Sequence, residues 1–585
     1  MYKNFVIGDL HLKRVDSLGV ILPSGLNSRL VDKLDALKFC LDKALKETMQ
    51  MASVIGREFP LPILQTVTGM QEKLETYLSQ LQALEFIYQK AVFPELEYIF
   101  KHALTQEVAY MSLLLKKRKQ IHEKIAKAIE ELYPERLDEF YELLANHYSR
   151  SDNLYRAFQY LKLSGDKSSR NYSLWEAVRY YKEALNVLDK LPATEENRRA
   201  GVEVRLLMDF PEFGLGFPGD YLEILQEGER LSRELGDEKS LANFRWIMSC
   251  CYGTKGRYIE GIRCAETAFK QAEEVQDIDV IVASGFELCQ NNFYIGGALQ
   301  IVAVAPRVIE KIEKTGRQSD YFGRPFNTYS CLMGLYGIAM GWLGRFEEGE
   351  AICEKAVRFA REIDNRYSLA MTETYYGGVL TIKGDAQRAL EHLQEGVRYG
   401  EATQCVHVLG GTYAALGMVY FMMGDLEAAL KYLERGIQLL SDAGVRAMLS
   451  MEYTYLGMVH SFSGDLKSAQ QYTEEALKLA QEGKNKLGEG LSRIFLGPIL
   501  STADASQSAK AEEHILQGIR LLDELGLRPM CSMGYLFLGQ HYAGTGHREE
   551  ALQTLKKAEA AFQEIGMDYY ASMAQVALEA LQGVT

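Results

Sequence analysis

The 585-residue chain lacks the marks of several function classes. Nowhere does it carry a GxxxxGK[ST] string, the glycine-rich loop whose lysine and hydroxyl wrap phosphates and position magnesium. The nearest imitations are Gly214, Gly216 and Gly219, which come without a lysine, and Gly483-Lys484-Asn485, which lacks the hydroxyl; both read as turns. The nine cysteines include no CxxC pair and no Cys/His cluster at metal-ligand spacing, so they read as reduced packing residues of a cytoplasmic protein. No apolar run approaches the roughly 18 to 20 residues that span a bilayer, and the first residues lack a signal peptide's apolar stretch. A formal net charge of −14 disfavours nonspecific binding to nucleic acid or to an anionic membrane. These absences leave no catalytic residue, cofactor or metal to name, and they direct attention to protein partners.

What is present is a unit that returns about every 40 residues. Leu416, Gly417, Tyr420, Gly424, Asp425, Ala429, Leu433 and Gly436 form one copy; Leu456, Gly457, His460, Gly464, Asp465, Ala469, Thr473 and Ala476 form the next. The small residue that opens the second helix recurs at Gly349, Ala389, Ala429, Ala469, Ala511 and Ala551, in steps of 40, 40, 40, 42 and 40. A fixed period of this length signals stacked helical hairpins. Gly424 or Gly464 is placed to close one helix in the left-handed conformation, and the aspartate after it to cap the next. Small residues at Gly417, Ala429 and Gly436 allow the two helices to approach closely.

Upstream the pattern continues less regularly. Gly256 with Gly261, Ala265 and Ala268 makes a clear unit, Gly296-Gly297 a weak one, and Gly344 with Gly349 and Ala356 a clear one, with an insertion expected near 315–325. Ala157, Leu161 and Ser164, then Ala177, Tyr181 and Ala184, read as second helices of two earlier hairpins with a stunted helix between them. Pro192, Pro211, Gly214, Gly216, Pro218 and Gly219 mark a joint. Before the repeats, helices are expected over 35–53, 61–66 and 71–85, followed by a hairpin of 86–93 with 98–100, the order of a winged helix.

The unit resembles the tetratricopeptide repeat, whose usual length is about 34 residues; the longer period gives each helix just under one extra turn. The strings ASVIGREF at 52–59, EYIFKHALTQEVAY at 97–110 and LANHY at 144–148, with Leu132-Tyr133, resemble the linker region of bacterial multidomain ATPases. In that family a class III adenylate or guanylate cyclase domain is followed by an AAA-type ATPase, a winged-helix-like segment and a repeat array. Leu22-Pro23 with Arg29, Asp32 and Leu34 resembles the stretch that follows the ATPase core. The likeness covers about 20–190 at motif level.

The expected fold is therefore all-α, a tetratricopeptide-like α-α superhelix of long-helix repeats preceded by a small winged-helix-like domain. Its expected divisions are 1–34, the remnant of the end of an ATPase module; 35–115, the winged-helix-like domain; 116–190, a helical linker with the first hairpins; 191–220, the joint; and 221–585, the array. The would-be reading helix of the winged helix carries Glu72 and Glu75 against Lys73, which argues for packing rather than DNA reading. Lys116, Lys117, Arg118 and Lys119, with Lys124 and Lys127, read either as a solvated face or as a contact for an acidic partner or for phosphates held by a separate ATPase. His102 and His122 read as packing or capping residues.

First helices line the concave face of such arrays, and here that face presents Met371, Met418, Phe421, Met422, Met451, Met458, Phe462 and Met533. Two readings stand side by side: an apolar groove for an amphipathic helix or loop, and a tight superhelix in which these residues pack between repeats. The leading function is a non-catalytic interaction scaffold or sensory module in bacterial signal transduction. The alternatives are a subunit that docks a separately encoded ATPase or cyclase, and a winged-helix transcription regulator.

Overall fold

The computed structural model describes residues 12–15, 21–23, 42–71, 73–91 and 95–583, which divide into two compact units, Met1–Asn197 and Arg198–Thr585. Most of the expected ATPase remnant at 1–34 lies outside the described residues; within it Leu12–Val15 pairs antiparallel with Ile21–Pro23.

In the first unit the helix Lys43–Ile55 starts where the Asp42 carboxylate accepts from the Leu45 N–H at 2.8 Å. The part of the expected 35–53 helix before Asp42 lies outside the described residues. The strand Glu58–Pro60, the helices Leu61–Thr68 and Leu74–Ala83, and the strands Ile87–Ala91 and Glu97–Phe100 follow. Glu97–Phe100 is the central strand, antiparallel to both neighbours. Met49, Phe59, Ile63, Leu64, Leu74, Leu81 and Phe100 are fully buried beneath this sheet and its helices. The helix Leu115–Leu132 buries Ile121, Ile125 and Ile129 along one stripe, as a surface helix with a 3.6-residue period must. His122 lies inside, with Nε2 3.1 Å from the Tyr110 hydroxyl and Nδ1 2.8 Å from Nδ1 of His147; burial pushes the two imidazoles down to about 4 and about 3.

One expectation is corrected here. Leu154–Arg170 and Leu174–Leu188 are consecutive helices packed on each other, so Ala157 and Ala177 belong to the two arms of a single hairpin and no stunted helix separates them. The spacing of 20 is the distance from one arm to the other.

Among the described residues every secondary-structure element of the second unit is a helix. Second helices such as Leu426–Asp442 bury one stripe, here Ala429, Leu433, Gly436, Ile437 and Leu440. First helices are covered on nearly every side, and in Thr328–Trp342 every residue except Tyr336 is buried. Capping follows the same alternation. Asp385, Asp425 and Asp465 accept backbone N–H bonds at the start of second helices, at 3.3, 2.9 and 3.1 Å. Asn327, Asn365 and Asn485 do so for first helices, at 2.9, 2.7 and 2.9 Å. Gly424 and Gly464, at φ +83° and +89°, end the preceding helices in the left-handed region.

Two segments between regular hairpins position the site. The boundary between the two units falls inside the expected joint, at Asn197 and Arg198; that segment is helical over Glu195–Leu207 and again over Asp209–Gly214, and Asp209, Pro211, Glu212 and Phe217 are buried within the second unit. The insertion near 315–325 follows the helix Ala298–Thr315 and delivers Arg324 and Phe326 to the interior. Among the described residues no helix is long and apolar enough to cross a membrane.

Candidate functional site

The array closes on itself. The N–H groups of Arg446 and Ala447, in the turn after Leu426–Asp442, donate to the carbonyl of Thr254 at 2.8 and 3.1 Å. Gly296, at φ +81°, lies so near Leu487 that a Cβ there would come within 2.8 Å of the leucine's own; Tyr569 Oη donates to the Met422 carbonyl at 3.4 Å. These residues lie far apart in sequence, so the superhelix winds tightly enough for one stretch of hairpins to rest on another. Its concave side is consequently narrowed to a lumen that stays partly open to solvent.

The lumen holds a cavity of about 170 Å³. First helices from Glu238–Thr254 to Arg528–Gly544 all contribute to its wall, and Phe213 and Phe326 come to it from the two irregular segments. Aromatic rings dominate one side: Phe293 stacks on Trp342 with centroids 4.9 Å apart and meets Tyr375 edge-on at 5.8 Å. The Tyr375 hydroxyl donates to Oε1 of Gln290 at 3.1 Å. Met371, Met418, Met448 and Met451 also line it.

A buried charge cluster borders the same space. The Arg324 guanidinium, 1% exposed, pairs with Glu287 and lies 3.8 Å from Asp209, and it covers the Trp246 ring at 4.4 Å and the Phe213 ring at 5.2 Å. Burial pushes Asp209 up to about 6 and raises Glu287, with the positive charge of Arg324 opposing both shifts. His407 borders the cavity, stacked on Phe213 at 5.6 Å, and burial pushes it down to about 4, so its imidazole is neutral at neutral pH. Among the described residues no group of three or more His, Cys, Asp or Glu side chains is placed to hold a metal ion.

The methionine-rich face is divided by this geometry. Met371, Met418 and Met451 border the cavity. Met422 and Met458 are buried away from it, Phe421 and Met533 are half-buried, and Phe462 is 54% exposed with its ring edge-on to Phe421 at 4.9 Å. Sequence reasoning missed the aromatic wall, because the Gly296-Gly297 unit looked weak and Phe286, Phe293 and Tyr294 were not phased with later repeats. It also missed Phe213 and Arg324, which lie in stretches that look like breaks. A lone arginine and a phenylalanine among glycines carry no local signal of burial.

A protein-family model described as the MalT-like TPR region matches residues 335–488. No curated protein matches the chain. Similar solved structures include a Rap protein complexed with Competence and Sporulation Factor, 13% identical over 70% of this chain and 98% of that one, TM-score 0.41. Another is a Signal Transduction ATPase with Numerous Domains carrying a tetratricopeptide repeat sensor, from Pyrococcus horikoshii, 14% identical over 80% of this chain and 67% of that one, TM-score 0.42. A third is the APC/C hetero-tetramer Cut9-Hcn1, 13% identical over 88% of this chain and 91% of that one, TM-score 0.44. The family match falls on the regular hairpins, and the second unit is an all-α superhelix of tetratricopeptide type.

Proposed function

We propose that the chain is a non-catalytic regulatory module of signal transduction, in which the repeat array serves as the sensor and the first unit makes contact with a protein partner. The observation that carries the reading is the lumen. A repeat family match coincides with a superhelix whose first helices line a cavity, an arrangement suited to sensing rather than to holding an extended chain.

The first unit supports the second half of the proposal. Its order of helix, strand, two helices and two strands supports a winged-helix reading, to which we assign a coupling role; Glu75 in the first turn of Leu74–Ala83 would repel a DNA phosphate. Next to it Met111, Leu114 and Leu115 are 63%, 80% and 64% exposed, and the exposed Lys116 and Lys117 follow directly. An apolar patch rimmed by cations suits an acidic protein surface, and a separately encoded ATPase or cyclase is the partner that the sequence likeness suggests.

Calorimetric titration with Mg-ATP and proximity labelling in the native cell test the proposal together. Expected are no heat from Mg-ATP and recovery of a defined signalling protein that falls sharply for a Lys116→Glu/Lys117→Glu variant. Micromolar Mg-ATP binding, or recovery unchanged by the double substitution, would contradict it.

A further inference from the structure

We propose that the lumen is a binding site for a small, uncharged, apolar molecule built on one or two rings. The proposal rests on the reading of the array as a sensor for its biological meaning, and on the wall of the cavity for its chemistry.

Size sets the first limit. Protein interiors are close-packed, and a partly open cavity of about 170 Å³ leaves much of its lining short of van der Waals partners. A dry apolar cavity of roughly 150 Å³ takes up benzene. The space here suits a molecule of one ring with a substituent, or two small fused rings.

Charge sets the second. No lysine or arginine lines the cavity; the one carboxylate that does, Glu287, is paired with the buried Arg324, which also lies beside Asp209. A carboxylate or phosphate brought inside would lose its water and gain no counter-charge. Nucleotides, sugar phosphates and free peptide carboxylates are excluded on that ground.

Hydrogen bonding sets the third. Gln290 accepts from Tyr375, and the hydroxyls of Thr374 and Thr412, 2.7 Å apart, find partners in each other and in carbonyls of their own helices. Nε2 of His407 and Oδ1 of Asn291 have no partner, but both atoms are covered by protein and present nothing to an occupant. The exposed lining is mostly ring, aliphatic and thioether surface, with a small polar share. Phe293, Trp342 and Tyr375 supply rings, and Met371, Met418 and Met451 supply a polarizable wall that adapts to irregular shapes.

The position of Met448 gives such a ligand a route to a response. Met448 borders the cavity from the turn whose Arg446 and Ala447 N–H groups hold Thr254, and its own backbone takes a left-handed φ of +68°. An occupant that packs on Met448 stabilises the contact between non-adjacent hairpins, so occupancy and closure of the superhelix are coupled.

The test is isothermal titration of the full-length protein with toluene, indole and benzoate. Toluene and indole should bind at one site per chain, and benzoate at least about tenfold more weakly. Ala415→Phe, which places a ring in the lumen from its half-buried position, should weaken toluene binding by about tenfold or more while circular dichroism stays native. Met451→Phe fills the space from another helix and serves if the first variant fails to fold. Absence of toluene and indole binding, binding unchanged by both folded variants, or equal affinity for benzoate would overturn the proposal. Because binding is read directly, failure here leaves partner recovery by the first unit as a separate result.

Discussion

The hairpins over 366–482 and the stretch 198–342 lie in the same helical unit, yet different kinds of interaction hold them. In the first, the turn inside each hairpin closes through local chemistry: a left-handed glycine at Gly384, Gly424 or Gly464, then an aspartate whose side chain accepts from a backbone N–H three residues on. In the second, the second helices Tyr258–Val275, Ala298–Thr315 and Phe346–Glu362, the last just beyond it, open without a side-chain cap, Pro306 lies inside one of them, and a buried Arg324 joins residues from three segments. Local rules repeat along the chain and can be recognised by period. Long-range packing leaves no period behind.

Substitutions can break this contrast, and the largest effect belongs to the irregular stretch. Arg324→Met leaves Glu287 and Asp209 buried without their cation, and removing one partner of a buried ion pair costs about 3 to 5 kcal/mol. Urea denaturation followed by tryptophan fluorescence should report it, since Trp246 lies under the guanidinium. A loss below about 1 kcal/mol, the range of exposed pairs, would show that the cluster is hydrated.

A pH dependence comes next, from the regular hairpins. Glu452 is fully buried, neither carboxylate oxygen has a partner, and burial pushes its pKa up from 4.5 to about 8. The folded state therefore holds a proton that the unfolded chain has released. Stability from this group is complete below pH 4.5, falls as pH rises towards 8 by up to about 1.4 kcal/mol per pH unit, and levels off above that. Glu452→Gln should remove the slope and raise the melting temperature at pH 8 but not at pH 4.5. An unaltered slope would place the titrating group elsewhere.

Two glycines with the same backbone geometry sharpen the comparison further. Gly424 and Gly296 have φ of +83° and +81°, but a Cβ at Gly424 meets nothing within 4 Å, whereas at Gly296 it meets Leu487 at 2.8 Å. Alanine at Gly424 carries the left-handed penalty of about 1 to 2 kcal/mol. At Gly296 overpacking adds about 1 to 3 kcal/mol. Equal losses in chemical denaturation would contradict the contact between non-adjacent hairpins. The smallest effect is expected for Asp425→Ala, about 1 kcal/mol from a lost helix cap.

The same contrast explains what could be read from the chain alone. The period of Gly349, Ala389, Ala429, Ala469, Ala511 and Ala551 gives the hairpins directly, because each small residue answers to a neighbour within its own unit. The strand pairing of Ile87–Ala91 with Glu97–Phe100 was equally open to reading, from two apolar runs separated in sequence by Pro94 and Glu95. Closure of the superhelix was not. Whether Met418 faces solvent or a lumen depends on residues near Thr254 and Leu487, and nothing within a single repeat encodes that distance. Phe213 and Arg324 stayed hidden for the same reason, since prolines and glycines around them mark a break in helix and say nothing about burial.

Closure is the central claim, and amide hydrogen exchange at Arg446 and Ala447 tests it most directly. Both residues lie outside the helices Leu426–Asp442 and Leu449–Phe462, and their N–H groups have as partner the carbonyl of Thr254. Protection comparable to the flanking helices, increased further by toluene, is the predicted result. Exchange at the rate of an open loop, with or without toluene, would contradict a closed superhelix.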